Sequence, residues 1–232
     1  ALSEDKLISS MVGNTSATYY RTNATSVFNG STWNIANGPC GSQIVYKSTM
    51  AKYEDKAYLA VMDRSSFVIK VYEYRDGGWS ELDGFQEAGM SNGIGSGVFK
   101  LTTDSRGNVY MLHADNATGS YLVKLRKFDI ESRKWSTVSG NSTHIDAHDT
   151  HLNACAAISP EGTPYIAYGD LLDPNTCLKV ICLDPESRQW SEPVVVSTEK
   201  VGNDISFVFS PTGIGYLSFV DGNSMVHVYR AE

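Results

Sequence analysis

The feature that most restricts this chain is an internal repeat. Four runs, YEDKAYLAVMD, SRGNVYMLHAD, PEGTPYIAYGD and PTGIGYLSFVD, each set a tyrosine five residues ahead of an aspartate. The tyrosines are Tyr58, Tyr110, Tyr165 and Tyr216, so the steps between copies are 52, 55 and 51 residues. Each aspartate leads into a second run of alternating apolar residues (FVIKVYEY, YLVKLRKFD, CLKVICLD, MVHVYR), and that period of two marks a strand. In three copies a turn follows, RDGG, IESRK or PESRQ, and then a tryptophan with a short polar tail: Trp79, Trp135 and Trp190. Ahead of the tyrosines lies a further strand-like run, clearest in ACAAISPEG and ISFVFSPTG, closed by proline or glycine where the backbone must turn.

One unit therefore holds four short antiparallel strands in about 50 residues, and no segment shows helical periodicity. A lone four-stranded sheet cannot cover its two faces, so the units must pack on one another, and radial packing gives a β-propeller. The sequence predicts an all-β fold, a propeller of four-stranded antiparallel blades at residues 1–37, 38–84, 85–140, 141–197 and 198–232. The last unit stops three strands in, without its tryptophan. Five blades are expected, with residues near Lys6 to Val12 supplying the missing outer strand and a shortened first blade around Trp33. The alternative is four blades, with STWNIAN as the missing strand and a loose N-terminal arm. Annealing the chain ends would remove open sheet edges. Trp79, Trp135 and Trp190 are read as packing anchors between blades, since an indole supplies a large buried area.

At FDIESRKW and LDPESRQW the chain resembles the kelch-type propeller repeat, in which an aromatic or apolar residue, a turn and a tryptophan take these places. It departs where kelch repeats carry a Gly-Gly pair, for here that place reads MD, AD, GD and VD. It is similar to a divergent propeller of the broader kelch or galactose-oxidase-like kind. The resemblance implies a fold and binding through loops at one end of the central channel, and it implies no reaction. SVFNGSTW has the serine, glycine, threonine and tryptophan of a sialidase-type Asp-box but Phe28 in place of the aspartate.

A formal charge of −7 argues against a nucleic-acid partner, which needs clustered Lys and Arg to displace counterions. Membrane insertion is not expected, because no run approaches the roughly 18 apolar residues of a spanning helix. The four cysteines show no CxxC spacing, and most are read as packed thiols. N-x-S/T triplets at Asn14, Asn23, Asn29, Asn116 and Asn141 point toward an extracellular eukaryotic source, while a chain rich in Ser, Thr and Asn also makes such triplets by chance; the setting expected is extracellular, cell-surface or periplasmic.

The densest polar constellation is STHIDAHDTHLNAC, with His144, Asp146, His148, Asp149, His151 and Asn153 between two blades. Imidazole and carboxylate suit first-row metal ions, so His148, His151 and Asp149 are candidate ligands for a divalent cation, with no other cofactor expected. The same stretch also reads as a metal-free ligand site, or as a solvated connector whose side chains bond nearby backbone. GMSNGIGSG holds Asn92 and Ser96 in the equivalent inter-blade place and could shape a pocket beside it. The strand-end aspartates Asp63, Asp115, Asp170 and Asp221 either line a rim or accept N–H groups within their own turns. The function expected is a monomeric, non-enzymatic binding propeller for a glycan or protein. The alternatives are a polysaccharide hydrolase or lyase using the histidine-rich loop, and a kelch-like protein adaptor.

Overall fold

The computed structural model describes residues 7–14, 21–28, 31–37, 39, 45–85, 98–115, 122–138, 152–170, 177–202 and 204–231. For 7–14, 21–28, 33–37, 115, 122, 152 and 170 the description is of the backbone. Every regular element among them is a strand. An N-terminal sheet contains β1 (Leu7–Asn14), β2 (Arg21–Phe28) and β3 (Trp33–Asn37). A four-stranded sheet follows, of β4 (Val45–Tyr53), β5 (Lys56–Asp63), β6 (Ile69–Arg75) and β7 (Gly78–Glu81). The next comprises β8 (Phe99–Thr103), β9 (Val109–Asp115), β10 (Leu122–Asp129) and β11 (Lys134–Thr137). A third has β12 (Leu152–Ile158), β13 (Pro164–Asp170), β14 (Leu178–Cys182) and β15 (Val194–Ser197). The last sheet has β16 (Ser206–Phe209), β17 (Gly215–Val220) and β18 (Val226–Ala231).

Each sheet is an antiparallel meander, and successive sheets meet through their first strands: β1 lies against β4, β4 against β8, β8 against β12 and β12 against β16. That is the blade arrangement the repeat predicts, with three complete four-stranded blades between two three-stranded sheets. The closure differs from both registers drawn from the sequence. Leu7–Asn14 pairs with β2 (Met11 opposite Ala24) and not with β18, while STWNIAN also pairs with β2 (Ser26 opposite Ile35). Residues 7–14 and 33–37 thus belong to one local meander. Two adjacent hairpins satisfy these backbone groups at a smaller loop-closure cost than a strand recruited from the far end of the chain.

Alternation along the strands buries both faces of each complete blade. On β5, Tyr58, Ala60 and Met62 pack toward β8 and β9, meeting Phe99, Leu101, Val109 and Met111, while Leu59 and Val61 face the other way with Val45 and Tyr72. On β9, Tyr110, Leu112 and Ala114 meet Ala154, Ala156, Ile166 and Tyr168 of the third complete blade, whose opposite face (Cys155, Ala167, Leu178) meets Leu217 and Phe219. Each of the Val, Leu, Ile, Met and Phe side chains among them contributes ~1.5–3 kcal/mol on burial, so these layers hold the sheets together.

The tryptophans serve the same layers. Trp135 packs edge-on against Phe85 of the preceding blade with ring centroids 4.6 Å apart, touches Phe128 on its own blade, and donates its indole N–H to the Leu82 carbonyl at 3.4 Å. Trp190 packs onto the layer shared with the preceding blade, and Trp79 onto the one that includes Val45 and Leu59. Polar ties run alongside: the Thr103 hydroxyl donates to the Lys52 carbonyl (2.7 Å), the Ser105 hydroxyl to the Pro160 carbonyl (3.0 Å) and the Arg188 guanidinium to the Val138 carbonyl (3.0 Å).

The β8–β9, β12–β13 and β16–β17 hairpins are built alike. Asp104, Ser159 and Ser210 each accept, through a side-chain oxygen, the N–H four residues on (Asn108, Thr163, Ile214), and the glycine between, Gly107, Gly162 or Gly213, has φ between 85° and 93°. Gly107 has a second duty, for a Cβ there would come within 2.7 Å of the Tyr53 ring on the neighbouring hairpin, whereas one on Gly213 would meet nothing within 4 Å. We expect Gly213→Ala to cost about 1–2 kcal/mol from backbone strain alone and Gly107→Ala clearly more, as read from urea unfolding of the two variants. Trp135→Ala should cost about 2–4 kcal/mol, near the lower part of the range for buried aromatics because the indole is partly exposed.

Candidate functional site

The turn between β5 and β6 builds a small polar pocket. Asp63 ends β5, its carbonyl accepts the Phe67 N–H at 3.0 Å, and Phe67 takes φ 55° so that the chain can reverse. The Asp63 Oδ1 accepts four donors: the backbone N–H groups of Ser65 and Ser66 (2.9 and 2.7 Å) and their hydroxyls (2.6 and 2.8 Å). Among the described residues no donor reaches Oδ2. Lys70 stands on β6 opposite Val61, and its ammonium is 3.0 Å from the Glu81 carboxylate. Asp63, Ser65, Ser66 and Lys70 line a pocket of about 160 Å³ whose apolar wall is Val45, Val61 and Val68. An acceptor, two hydroxyls and a cation share one opening, which suits a small neutral or anionic group rich in hydroxyls.

The strand-end aspartates act within their turns where their side chains are described. Asp63 does so as above. Asp221 accepts the Asn223 and Met225 N–H groups at 2.8 Å each, and its Oδ2 lies 2.9 Å from the His227 imidazole, which stacks on Phe219. The repeated sentence FDIESRKW and LDPESRQW is explained in the same terms: Asp129 and Asp184 accept the N–H and hydroxyl of the serine three residues on, Ser132 and Ser187, before Arg133 and Arg188 at φ 53° and 57°. The His227 hydrogen bond comes first in holding the Asp221 carboxyl below its usual range, and the Ser132 and Ser187 N–H groups do the same for Asp129 and Asp184. At Asp63 burial pushes the pKa up, and the two serines together outweigh it, leaving it lowered.

Of the site residues expected from the sequence, His144, Asp146, His148, Asp149, His151, Asn92 and Ser96 lie outside the described residues. Asn153 is described: it stands on β12 opposite Gly169, 7% exposed, on the face of Cys155. The segments 86–97 and 139–151 lead into β8 and β12 at the end where β9 and β13 finish, the same end of the blades as the Asp63 turn. Among the described residues no group of three His, Cys, Asp or Glu side chains could hold a metal ion. Cys155, Cys177 and Cys182 are free thiols, and burial pushes Cys155 up to about 12. The aspartates were visible in the sequence, whereas Lys70 was not, since only the register across β5 and β6 brings it to the turn.

A second concavity lies between the third complete blade and the last sheet. It measures about 390 Å³, and Tyr165, Phe207, Phe209 and Tyr229 line it with Val194, Val196 and Ala231. The Tyr165 and Phe209 rings, and those of Phe207 and Phe209, stand 5.0 Å apart.

Fold and repeat together define a β-propeller. No known family matches the chain, and no curated protein does. Solved structures similar to it are propellers or carry one. The six-bladed fucose-recognising lectin of Aleuria aurantia matches at 13% identity over 91% of this chain and 68% of its own, with a TM-score of 0.58. TolB from Acinetobacter baumannii matches at 12% identity over 98% of this chain, with a TM-score of 0.56, and this chain spans 50% of its length. The GH74 xyloglucanase from Xanthomonas campestris matches at 16% identity over 98% of this chain and 35% of its own, with a TM-score of 0.61. These likenesses establish the architecture. No helix among the described residues is long and apolar enough to cross a membrane.

A lowered carboxylate pKa stabilises the fold above the unfolded value near 4 and stops doing so as pH falls through the folded value. The melting temperature should therefore hold level from pH 7 to 5 and fall below about pH 4. Ser132→Ala with Ser187→Ala, which removes a donor from Asp129 and from Asp184, should lose less stability between pH 5 and 2 than the parent, as read by thermal melts.

Proposed function

We propose that the protein is a non-enzymatic binding propeller that recognises a glycan at the end of the blades where the Asp63 turn lies. The observation that carries this is the Asp63 pocket, lined by a carboxylate with one oxygen that no donor among the described residues reaches, by Ser65 and Ser66, and by Lys70. Adjacent sugar hydroxyls need such a mixture, since each both donates and accepts. The segments with Asn92, Ser96 and His144 to His151 enter at the same end and would complete the surface, with His148, His151 and Asp149 offering a place for a divalent cation. An extracellular, cell-surface or periplasmic setting accords with the five N-x-S/T triplets. The fucose-recognising lectin lends the reading support by architecture, and the hydrolase alternative rests on residues 144–151 alone.

The test is a glycan array with labelled protein, followed by calorimetric titration of the best ligand with and without EDTA. Selective binding is expected. Lys70→Met should weaken it about threefold to tenfold, the worth of one typical hydrogen bond. An array with no selective signal would remove the proposal.

A further inference from the structure

The repeat lets the junctions between complete blades be compared place by place, and at one place the charge reverses. In each copy the anchoring tyrosine stands opposite one residue of the third strand: Tyr58 opposite Glu73 on β6, Tyr110 opposite Lys127 on β10. The following blade adds an arginine at positive φ from the turn after its third strand, Arg133 at the first junction and Arg188 at the second. At the first, Glu73 is buried, with the Lys56 ammonium 3.9 Å away. Burial pushes the Tyr58 phenol up, Glu73 adds to the shift and Arg133 opposes it, so this arginine already has a carboxylate in its field. At the second junction lysine takes the place of glutamate. The Lys127 ammonium is 5.9 Å from the centre of the Tyr110 ring and 3.9 Å from Asp129 Oδ2, beyond hydrogen-bond length. The Arg188 guanidinium is held across the junction by the Val138 carbonyl (3.0 Å), and among the described residues it makes no ion pair.

A pocket of about 240 Å³ opens at this second junction. Lys127 lines it from one blade and Arg188 from the next, Glu161 and Thr163 line it from the β12–β13 hairpin, and Val138 and Leu183 belong to its apolar wall. Two cations against one carboxylate leave the lining with an excess of positive charge, the reverse of the chain as a whole at −7. We propose that this inter-blade pocket binds a sugar residue carrying a carboxylate, a uronic acid, with the acid group between Lys127 and Arg188 and the ring hydroxyls at Glu161 and Thr163. A guanidinium already fixed by a backbone carbonyl presents the rest of its fork to a carboxylate at little further ordering cost. An ionised Glu161 only accepts, so it selects a ligand that also brings O–H donors. The volume is below the roughly 300–1,000 Å³ of a pocket for a drug-sized molecule, which limits the occupant to about one ring. The β12–β13 hairpin lies at the opposite end of the blades from the Asp63 turn, so this inference does not rest on the reading of that pocket.

The probe is sodium methyl glucuronide, titrated against the whole isotope-labelled protein and followed by NMR shift changes, with methyl glucoside and acetate run beside it. Saturable binding of the glucuronide is expected, with the glucoside and acetate each about tenfold weaker or more, since each lacks one half of the contacts. Lys127→Glu, which repeats the charge of the first junction, should weaken glucuronide binding at least about tenfold. Arg188→Gln, at an exposed position, should do the same while the melting temperature stays near that of the parent. Absence of glucuronide binding, or binding indifferent to both changes, overturns the proposal. Acetate binding as tight as glucuronide overturns the assignment to a sugar. So does glucuronide binding that is lost in Lys70→Met and kept in Lys127→Glu, which would place the acid in the Asp63 pocket.

Discussion

A β-sheet built from alternating strands has two faces, and in water neither can be left uncovered if both are apolar. The rest of the structure depends on that. β5 places Tyr58, Ala60 and Met62 on one side and Leu59 and Val61 on the other, all essentially buried, so no sheet of the central three could fold in isolation. Each must be a filling between two neighbours. The sheets therefore form a series in which, from β4 onward, each interface is a layer of side chains from two blades, with Trp135 and Trp190 packed against two of those layers.

Holding such layers in register requires the hairpins to be stiff, because a shift of one residue would exchange buried and exposed faces. Local hydrogen bonding achieves this. Asp63, Asp104, Asp129, Asp184 and Asp221 bond N–H groups two to four residues on, and each turn then has one residue or glycine at positive φ. The bonded carboxylate oxygens are thereby committed to the turns, and the lowered pKa values at Asp63, Asp129 and Asp184 are signatures of turn formation, whereas at Asp221 the His227 hydrogen bond comes first. A perturbed carboxylate here is no guide to catalysis, although such shifts cluster at active sites elsewhere.

The blade and its turns were legible in the sequence because the signals are local: period-two alternation, a tyrosine five residues before an aspartate, a serine three residues after one. The closing of the chain was not. Whether Leu7–Asn14 pairs with its neighbour or with β18 depends on competition between two similar edges, and composition carries no information about that competition. The candidate pocket was half legible. Asp63 marks itself by repetition, while Lys70 joins it through the β5 and β6 register. The aromatic groove was not legible, because Tyr165, Phe207, Phe209 and Tyr229 meet only through the packing of two sheets.

Exposed edges in natural sheets are commonly blunted by proline, by bulges or by charges that point inward. β18, VHVYRA, has none of these: its ladder with β17 runs without a shift from Gly215 opposite Ala231 to Val220 opposite Val226, and it contains no proline. Its basic residue Arg230 shares a face with Val226 and Val228 and stands opposite Tyr216. The contrast with β14 and β15 is instructive, since there the register breaks between Leu178 and Lys179 and a proline precedes the outer strand. Regular pairing in one sheet and a register break in the other thus distinguish two blades built from the same repeat, because the repeat fixes the turns and the buried faces and leaves the outer strands free to vary.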